Sequence, residues 1–222
     1  MKRAMIAATA ICVFVSVAAP AAVTIDYSHA IAADGTLTSP YGDAIVDTFD
    51  DPGRPGWTYT GNGAIVSGTM SGSYAAPYNS TYMVAPDATN YFAVPKDQTT
   101  LWAMVDFGGS TYNYLGLFWG SVDDYNLIEF LNAGVVVAEG SWTGTQAVSP
   151  SSANGDQTAP STNLYVNFYD MPDFDAVRFT STDYAFELDN LAVRPTPVPA
   201  PGAFLLVLLG AGLGGSKLRR RA

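Results

Sequence analysis

Hydrophobic residues between positions 22 and 198 recur with the period of a β-strand rather than that of a helix. In residues 99–107, for example, Leu101, Ala103 and Val105 occupy alternate positions and so share one face of a strand. Short runs rich in Val, Tyr, Phe, Trp and Thr are separated by Gly, Pro, Asn, Asp and Ser, which is typical of strands joined by turns. The pattern predicts strands at residues 44–49, 57–60, 64–70, 82–85, 91–94, 99–107, 112–119, 126–131, 135–138, 164–169, 176–180 and 185–193.

Turn signals follow one another at intervals of about 8 to 12 residues along this region. Asn132, Ala133 and Gly134 predict a hairpin turn, since glycine tolerates positive φ. Residues 71–80 and 149–162 lack strand patterning and predict irregular loops. Many short strands at this spacing indicate an all-β fold, an antiparallel two-sheet β-sandwich of the jelly-roll, carbohydrate-binding-module-like type.

The N-terminal residues have the features of a secretory signal. Lys2 and Arg3 precede an apolar stretch at 4–19, and residues 19–21 (Ala-Pro-Ala) offer the small residues that a signal peptidase reads. We therefore predict a signal peptide at 1–21, cleaved by signal peptidase, and export of the remaining chain. The only cysteine, Cys12, lies inside this segment, so the exported domain contains no disulfide.

The C-terminal residues have the features of a membrane anchor. Four alternating prolines favour an extended spacer, and the apolar run that follows is short for a hydrocarbon core of about 30 Å. The basic stop that should remain cytoplasmic consists of Lys217, Arg219, Arg220 and Arg221. Besides the signal peptide, the predicted organisation is an N-terminal extension at 22–43, the β-sandwich domain at 44–194, a Pro-rich linker with a sorting motif at 195–201, a transmembrane helix at 202–218 and a basic cytoplasmic tail at 219–222.

The domain between the two termini is strongly acidic. It holds four of the ten basic residues and all twenty acidic ones, so nucleic acid is excluded as a partner by charge repulsion. Carboxylate oxygens favour Ca²⁺, and the first and last strands of carbohydrate-binding jelly rolls often share a structural calcium. Asp47, Asp50 and Asp189 are therefore candidate calcium ligands, and separate solvated carboxylates are the alternative.

The sequence contains few residues that could form a histidine- or cysteine-based catalytic or metal site. His29 is the only histidine and lies near the mature N-terminus, while the domain has no cysteine, so a histidine-based hydrolase or a zinc site is excluded. Glycoside hydrolysis needs only two carboxyl groups, and Glu129 is the candidate acid; an exposed or hydrogen-bonded strand carboxylate is the alternative. We predict no catalytic residue and a non-enzymatic domain.

Aromatic side chains are abundant and offer ring faces for sugars. The candidates for ligand contact are Trp119, Tyr112, Tyr114 and Tyr125. Their alternative role is core packing, which is the commoner fate of aromatic residues in β proteins.

The C-terminal residues resemble the sorting signal of PEP-CTERM proteins, exported bacterial proteins handled by an exosortase. The matching features are the sorting motif Val198, Pro199, Ala200, Pro201 and Gly202, the apolar segment and the basic stop. The family signature is Pro-Glu-Pro, and Ala200 replaces its Glu here. The resemblance implies an exosortase as a partner and an inner-membrane-anchored intermediate.

The domain is similar to a subfamily of exosortase-dependent surface proteins. The matching stretches are residues 117–126, 165–168, 174–177 and 184–190. The resemblance implies a place at the cell surface or in the extracellular matrix of a Gram-negative bacterium, association with exopolysaccharide or biofilm, and no defined catalytic activity. A calcium-dependent carbohydrate-binding lectin and a glycosidase or polysaccharide lyase are the two alternatives.

Overall fold

The structure, a computed structural model, describes residues 22–50, 53–97, 99–148 and 152–195. The predicted signal peptide, the sorting motif, the transmembrane segment and the basic stop lie outside the described residues. In the part of the chain that is described, no helix has the length and apolar character needed to cross a membrane.

Within these ranges the chain forms fourteen strands and one four-residue helix, which confirms the predicted all-β fold. The elements are β1 (Thr24–Ser28), β2 (Ala30–Ile31), β3 (Leu37–Thr38), β4 (Ile45–Asp47), β5 (Thr58–Gly61), β6 (Ala64–Ser67), β7 (Asn90–Val94), β8 (Trp102–Asp106), β9 (Tyr112–Gly120), β10 (Asn126–Asn132), β11 (Val135–Thr143), α1 (Gly144–Ala147), β12 (Leu164–Tyr169), β13 (Ala176–Ser181) and β14 (Phe186–Pro195).

Every strand pair among the described residues is antiparallel. The larger sheet has the order β1-β12-β9-β14-β7-β6, with β4 also paired to β14. The smaller sheet has the order β11-β10-β13-β8-β5, and β2 and β3 form a separate hairpin. The pairing of β4 with β14, where Leu191 lies opposite Asp47, places the predicted first and last strands side by side.

One hydrophobic core receives side chains from both sheets. Phe130 and Phe179 of the smaller sheet pack against Phe168 and Phe186 of the larger one, with ring centroids 5.1 and 5.2 Å apart. All four rings are fully buried, and each such side chain contributes about 2 kcal/mol through burial. Packing of side chains from the two sheets in this shared core therefore contributes substantially to stability.

The larger sheet is buried on its other face as well. The central strand β9 reads Tyr-Asn-Tyr-Leu-Gly-Leu-Phe-Trp-Gly, with large apolar residues at both odd and even positions. Its outward-facing Tyr114 and Phe118 join a second cluster, which Leu37 and Met83 cover. Strands buried on both faces lose the alternation of polar and apolar residues.

Residues 22–43, predicted as an extension, contribute to the sheet itself. β1 pairs with β12 along its whole length, from Thr24 opposite Tyr169 to Ser28 opposite Tyr165. Because β1 is an edge strand with mostly exposed side chains, its sequence carries no clear hydrophobic period.

Two further predicted elements differ from the structure. Residues 82–85 form no strand, because the amides of Tyr82 and Met83 both bond to the carbonyl of Asn79 and the chain turns there. The hairpin turn at 132–134 is confirmed, since Ala133 and Gly134 both have positive φ. Its second strand, however, runs on to Thr143 instead of ending at 138.

Candidate functional site

A surface cleft of about 450 Å³ lies at one end of the larger sheet. Four chain segments converge on it: the loop before residue 75, the turn after β9, the loop that follows α1 and the start of β14. We call it the acidic cleft. It is lined by Thr69, Met70, Ser71, Gly72, Ser73, Tyr74, Ser121, Asp123, Tyr125, Asn154, Gly155, Gln157, Asp183, Tyr184, Ala185 and Glu187.

The turn after β9 is held by the long loop that follows α1. Asp123 forms a β-bridge with Asn154, and the Gly155 amide donates to the Val122 carbonyl at 3.1 Å. Gly155 has positive φ, and a Cβ there would lie 2.4 Å from Oδ1 of Asp123. A glycine is thus favoured where the loop closes against this carboxylate.

Glu187 is the most perturbed carboxyl group of the acidic cleft. It is 2% exposed; its Oε1 accepts from the Ala75 amide and its Oε2 from the Ser121 hydroxyl, each at 2.8 Å. Burial raises the pKa of Glu187 to about 8 and outweighs these hydrogen bonds, which act to lower it. At neutral pH the carboxyl group is therefore mostly protonated, and its O–H can donate a hydrogen bond.

The rim of the acidic cleft combines carboxylates with tyrosines. The Tyr125 hydroxyl donates to the Tyr184 carbonyl at 3.0 Å. Burial, together with the charges of Asp124 and Asp183, raises the pKa of Asp123. None of the residues that line the acidic cleft is basic, so it attracts cations and repels anions.

Three of the four aromatic residues predicted to contact a ligand lie in the core. Trp119 is fully buried and stacks on Phe186 with centroids 4.2 Å apart. Tyr112 and Tyr114 are 5% and 4% exposed; each lines another surface pocket, but nearly all of the surface of these side chains is buried. Only Tyr125 lines the acidic cleft.

Asp47, one of the set of predicted calcium ligands, already accepts hydrogen bonds from the protein with both carboxylate oxygens. Its Oδ1 accepts from the Phe49 amide at 2.9 Å, and its Oδ2 accepts from the Tyr59 hydroxyl. Because Tyr59 lies on β5 of the smaller sheet and Asp47 on β4 of the larger one, this bond joins the two sheets.

Asp189 and Asp50 of that set lie near two acidic residues that the sequence did not single out. Burial and then the negative charges of Asp87, Asp34 and Asp50 raise the pKa of Asp189. Both carboxylate oxygens of Asp189 and Oδ2 of Asp87 are buried and accept no hydrogen bond of normal geometry, although the two carboxyl groups contact each other and Asp189 contacts the Asn190 amide. As the side chains stand, no group of three or more His, Cys, Asp or Glu in the described ranges meets metal-site geometry.

The sequence contains a weak signal for the two additional residues. Asp34 and Asp87 each begin an Asp-x-Thr turn, in which the aspartate accepts from the amide and the hydroxyl of the threonine two positions later. The same turn occurs at Asp97, which is half-buried, and at Asp156, which is exposed. The motif alone therefore does not identify the cluster.

Glu129, the candidate catalytic acid, lies on β10 and is not among the residues that line the acidic cleft. Its Oε2 accepts two bonds from Arg178, from Nε and from Nη2, both at 2.7 Å. The two residues are directly opposite each other on β10 and β13, so this carboxylate forms a cross-strand ion pair.

Compared with known proteins, the chain matches no family model, and no curated protein or solved structure shows significant similarity to it.

Proposed function

We propose that this chain is an exported surface or extracellular-matrix protein whose domain binds polysaccharide in the acidic cleft without modifying it. The observation that carries the proposal is the cleft of about 450 Å³, lined by tyrosines, hydroxyls, amides and carboxyl groups. Its volume lies within the range of about 300 to 1,000 Å³ that small-ligand sites occupy. Such side chains hydrogen-bond to sugar hydroxyls, and tyrosine rings pack against the apolar faces of sugars.

The charge of the acidic cleft narrows the choice of glycan. With Asp123 and Asp183 at its rim and no basic lining residue, it disfavours uronic-acid and sulfated polymers. Neutral glycans and glycans with free amino groups are the expected ligands.

The proposed architecture is a jelly-roll β-sandwich. Two antiparallel sheets that share one core support it, because facing sheets bury their inner side chains in this way. Residues such as Leu37 and Met83 cover much of the outer face of the larger sheet, and we place the ligand site in the acidic cleft at the end of this sheet.

Export and sorting are proposed from the two termini. Signal peptidase removes residues 1–21, and an exosortase recognises the motif at 198–202 while the apolar segment holds the chain in the inner membrane. Deletion of residues 202–222 followed by cell fractionation tests this step. We expect loss of surface delivery, and unchanged delivery would contradict the sorting proposal.

Glycan binding is tested on an array that carries neutral, amino-sugar and uronic-acid polymers. Tyr125→Ala removes the aromatic ring at the rim of the acidic cleft, and we expect at least a tenfold loss of affinity, the size of about 1.4 kcal/mol. Tyr82→Ala is the matched control, because Tyr82 is 43% exposed and does not line the cleft. Equal affinities of the two variants would contradict the assignment of the site.

A glycoside hydrolase in the same cleft is the second candidate. A buried glutamic acid with its pKa raised to about 8, beside a second carboxyl group, is the arrangement of a general acid. Both Glu187 oxygens are hydrogen-bonded within the protein, which favours a structural role. Turnover of a bound glycan by the wild type that disappears in Glu187→Gln would favour the hydrolase.

A further inference from the structure

We infer that Asp87 and Asp189 are ligands of a structural calcium ion, bound where four segments of the chain meet beside β14. The inference is independent of glycan binding and differs from the set expected from the sequence, because Asp47 bonds to Tyr59 instead.

The first two segments meet at the irregular part of β14. The pairing of β14 with β9 shifts register between Asp189 and Ala192, and Asn190 there has a positive φ of 48°. The Asn190 side-chain amide donates to the Thr36 hydroxyl at 2.7 Å and to the Leu37 carbonyl at 2.9 Å. This contact brings the β2–β3 turn next to Asp189.

The other two segments join through β7, the neighbour of β14. Asp87 lies just before β7, where its amide donates to the Pro77 carbonyl at 2.9 Å. The Asn90 amide at the start of β7 donates to Oδ1 of Asp50 at 3.1 Å. Asp34, Asp50, Asp87 and Asp189 thereby lie in one region of the fold, close enough for the charges of the first three to act on Asp189, although they are far apart in the sequence.

The unpartnered oxygens point to a cation. Asp189 is fully buried and Asp87 is 4% exposed, yet three of their four carboxylate oxygens accept no hydrogen bond of normal geometry. Their remaining polar contacts are with each other and, for Asp189, with the Asn190 amide. A buried carboxylate without a donor costs several kilocalories per mole, and two adjacent ones repel each other. No basic side chain is among the groups that influence either carboxyl.

Calcium suits this arrangement better than other cations. It accepts six to eight oxygen ligands in flexible geometry, including water and neutral oxygens. Two buried carboxylates form the inner part of such a site, and the exposed Asp34 and Asp50 lie on the side open to solvent. A smaller ion such as Mg²⁺ demands near-ideal octahedral geometry.

The experiment measures the melting temperature of the purified chain in EDTA, in millimolar CaCl₂ and in millimolar MgCl₂. We expect CaCl₂ to raise it by roughly 5 °C, and isothermal titration to show one ion per chain with a Kd on the order of 10⁻⁴ M. MgCl₂ should have a much smaller effect.

Three variants assign the site. Asp189→Asn and Asp87→Asn should each lose the calcium-dependent rise and should melt in EDTA no lower than the wild type, because each removes a buried like charge. Asp47→Asn is the matched buried control and should keep the full rise. The inference is overturned by the absence of a calcium effect in the wild type, as a pair that merely shares a proton would show. It is also overturned by an equal effect of MgCl₂ or by a rise that survives in both site variants.

Discussion

Substitution of Tyr59, whose hydroxyl donates to Asp47, tests most directly how the two sheets are joined. Removing the hydroxyl with Tyr59→Phe leaves Oδ2 of the buried Asp47 without a donor. The Arg54 amide, which donates to the same hydroxyl at 3.3 Å, also loses its acceptor.

The cost of this substitution can be worked from the structure. Asp47 is 5% exposed, so water does not readily replace the lost donor, and hydrogen bonds to charged groups contribute about 1.5 to 3 kcal/mol. The ring itself remains packed near Phe49 and Phe92. We therefore expect a loss of about 2 kcal/mol in the free energy of unfolding, or roughly 4 to 8 °C in melting temperature for a domain of this size.

Urea unfolding at neutral pH measures this loss, with Tyr82→Phe as a control that should change stability by less than about 0.5 kcal/mol. A double-mutant cycle with Asp47→Ala isolates the pair and should give a coupling energy of about 1 to 2 kcal/mol. A Tyr59→Phe variant as stable as the control would refute the proposed bridge between the sheets.

Three other substitutions test the acidic cleft, the loop that closes against it and the cross-strand ion pair of the smaller sheet. Because the pKa of Glu187 is raised from 4.5 to about 8, the carboxyl group ionises first in the unfolded chain, and its contribution to the free energy of unfolding in EDTA should fall by up to about 4 kcal/mol from pH 4.5 to pH 8. In urea unfolding, Glu187→Gln should lose less stability than the wild type over this range by that amount, while the raised pKa values of Asp87, Asp123 and Asp189 keep part of the loss in both proteins; equal losses would contradict the assignment. Gly155→Ala should cost about 1 to 2 kcal/mol more than Gly35→Ala by the same assay, because both have positive φ but only the first places a Cβ against Asp123. Glu129→Gln breaks a partly exposed ion pair and should cost about 1 kcal/mol or less; a larger loss would show that this pair is more than a surface contact.

The strands of the smaller sheet and the central strands of the larger one follow from their residue patterns. β8 and β13 alternate buried and less buried positions, so a period of two locates them from the sequence. The sequence pattern does not predict β1, because β1 pairs with β12 as an edge strand whose side chains are mostly exposed. The segment at 82–85 has strand-like residues, but Met83 instead packs into the second cluster above the sheet.

The candidate site is less accessible to sequence reasoning. Tyr125, a candidate from the sequence, lines the acidic cleft, whereas Trp119, from the same chain region, is buried against Phe186. A strand pattern indicates that successive side chains point to opposite faces, but it does not say whether a second layer covers the outer face. Here residues such as Leu37 cover it, and the aromatic residues of β9 become core.

The sequence by itself determines the antiparallel all-β character, the position of most strands, the acidity of the domain and the expectation of export, because these depend on local periodicity and composition. The tertiary structure alone decides which carboxyl groups are buried and which of them meet. Asp87 and Asp189 come together through the pairing of β7 with β14, and Asp47 is taken out of that set by a hydrogen bond to the opposite sheet. Long-range strand pairing creates these contacts, and a single sequence carries no local signal for it.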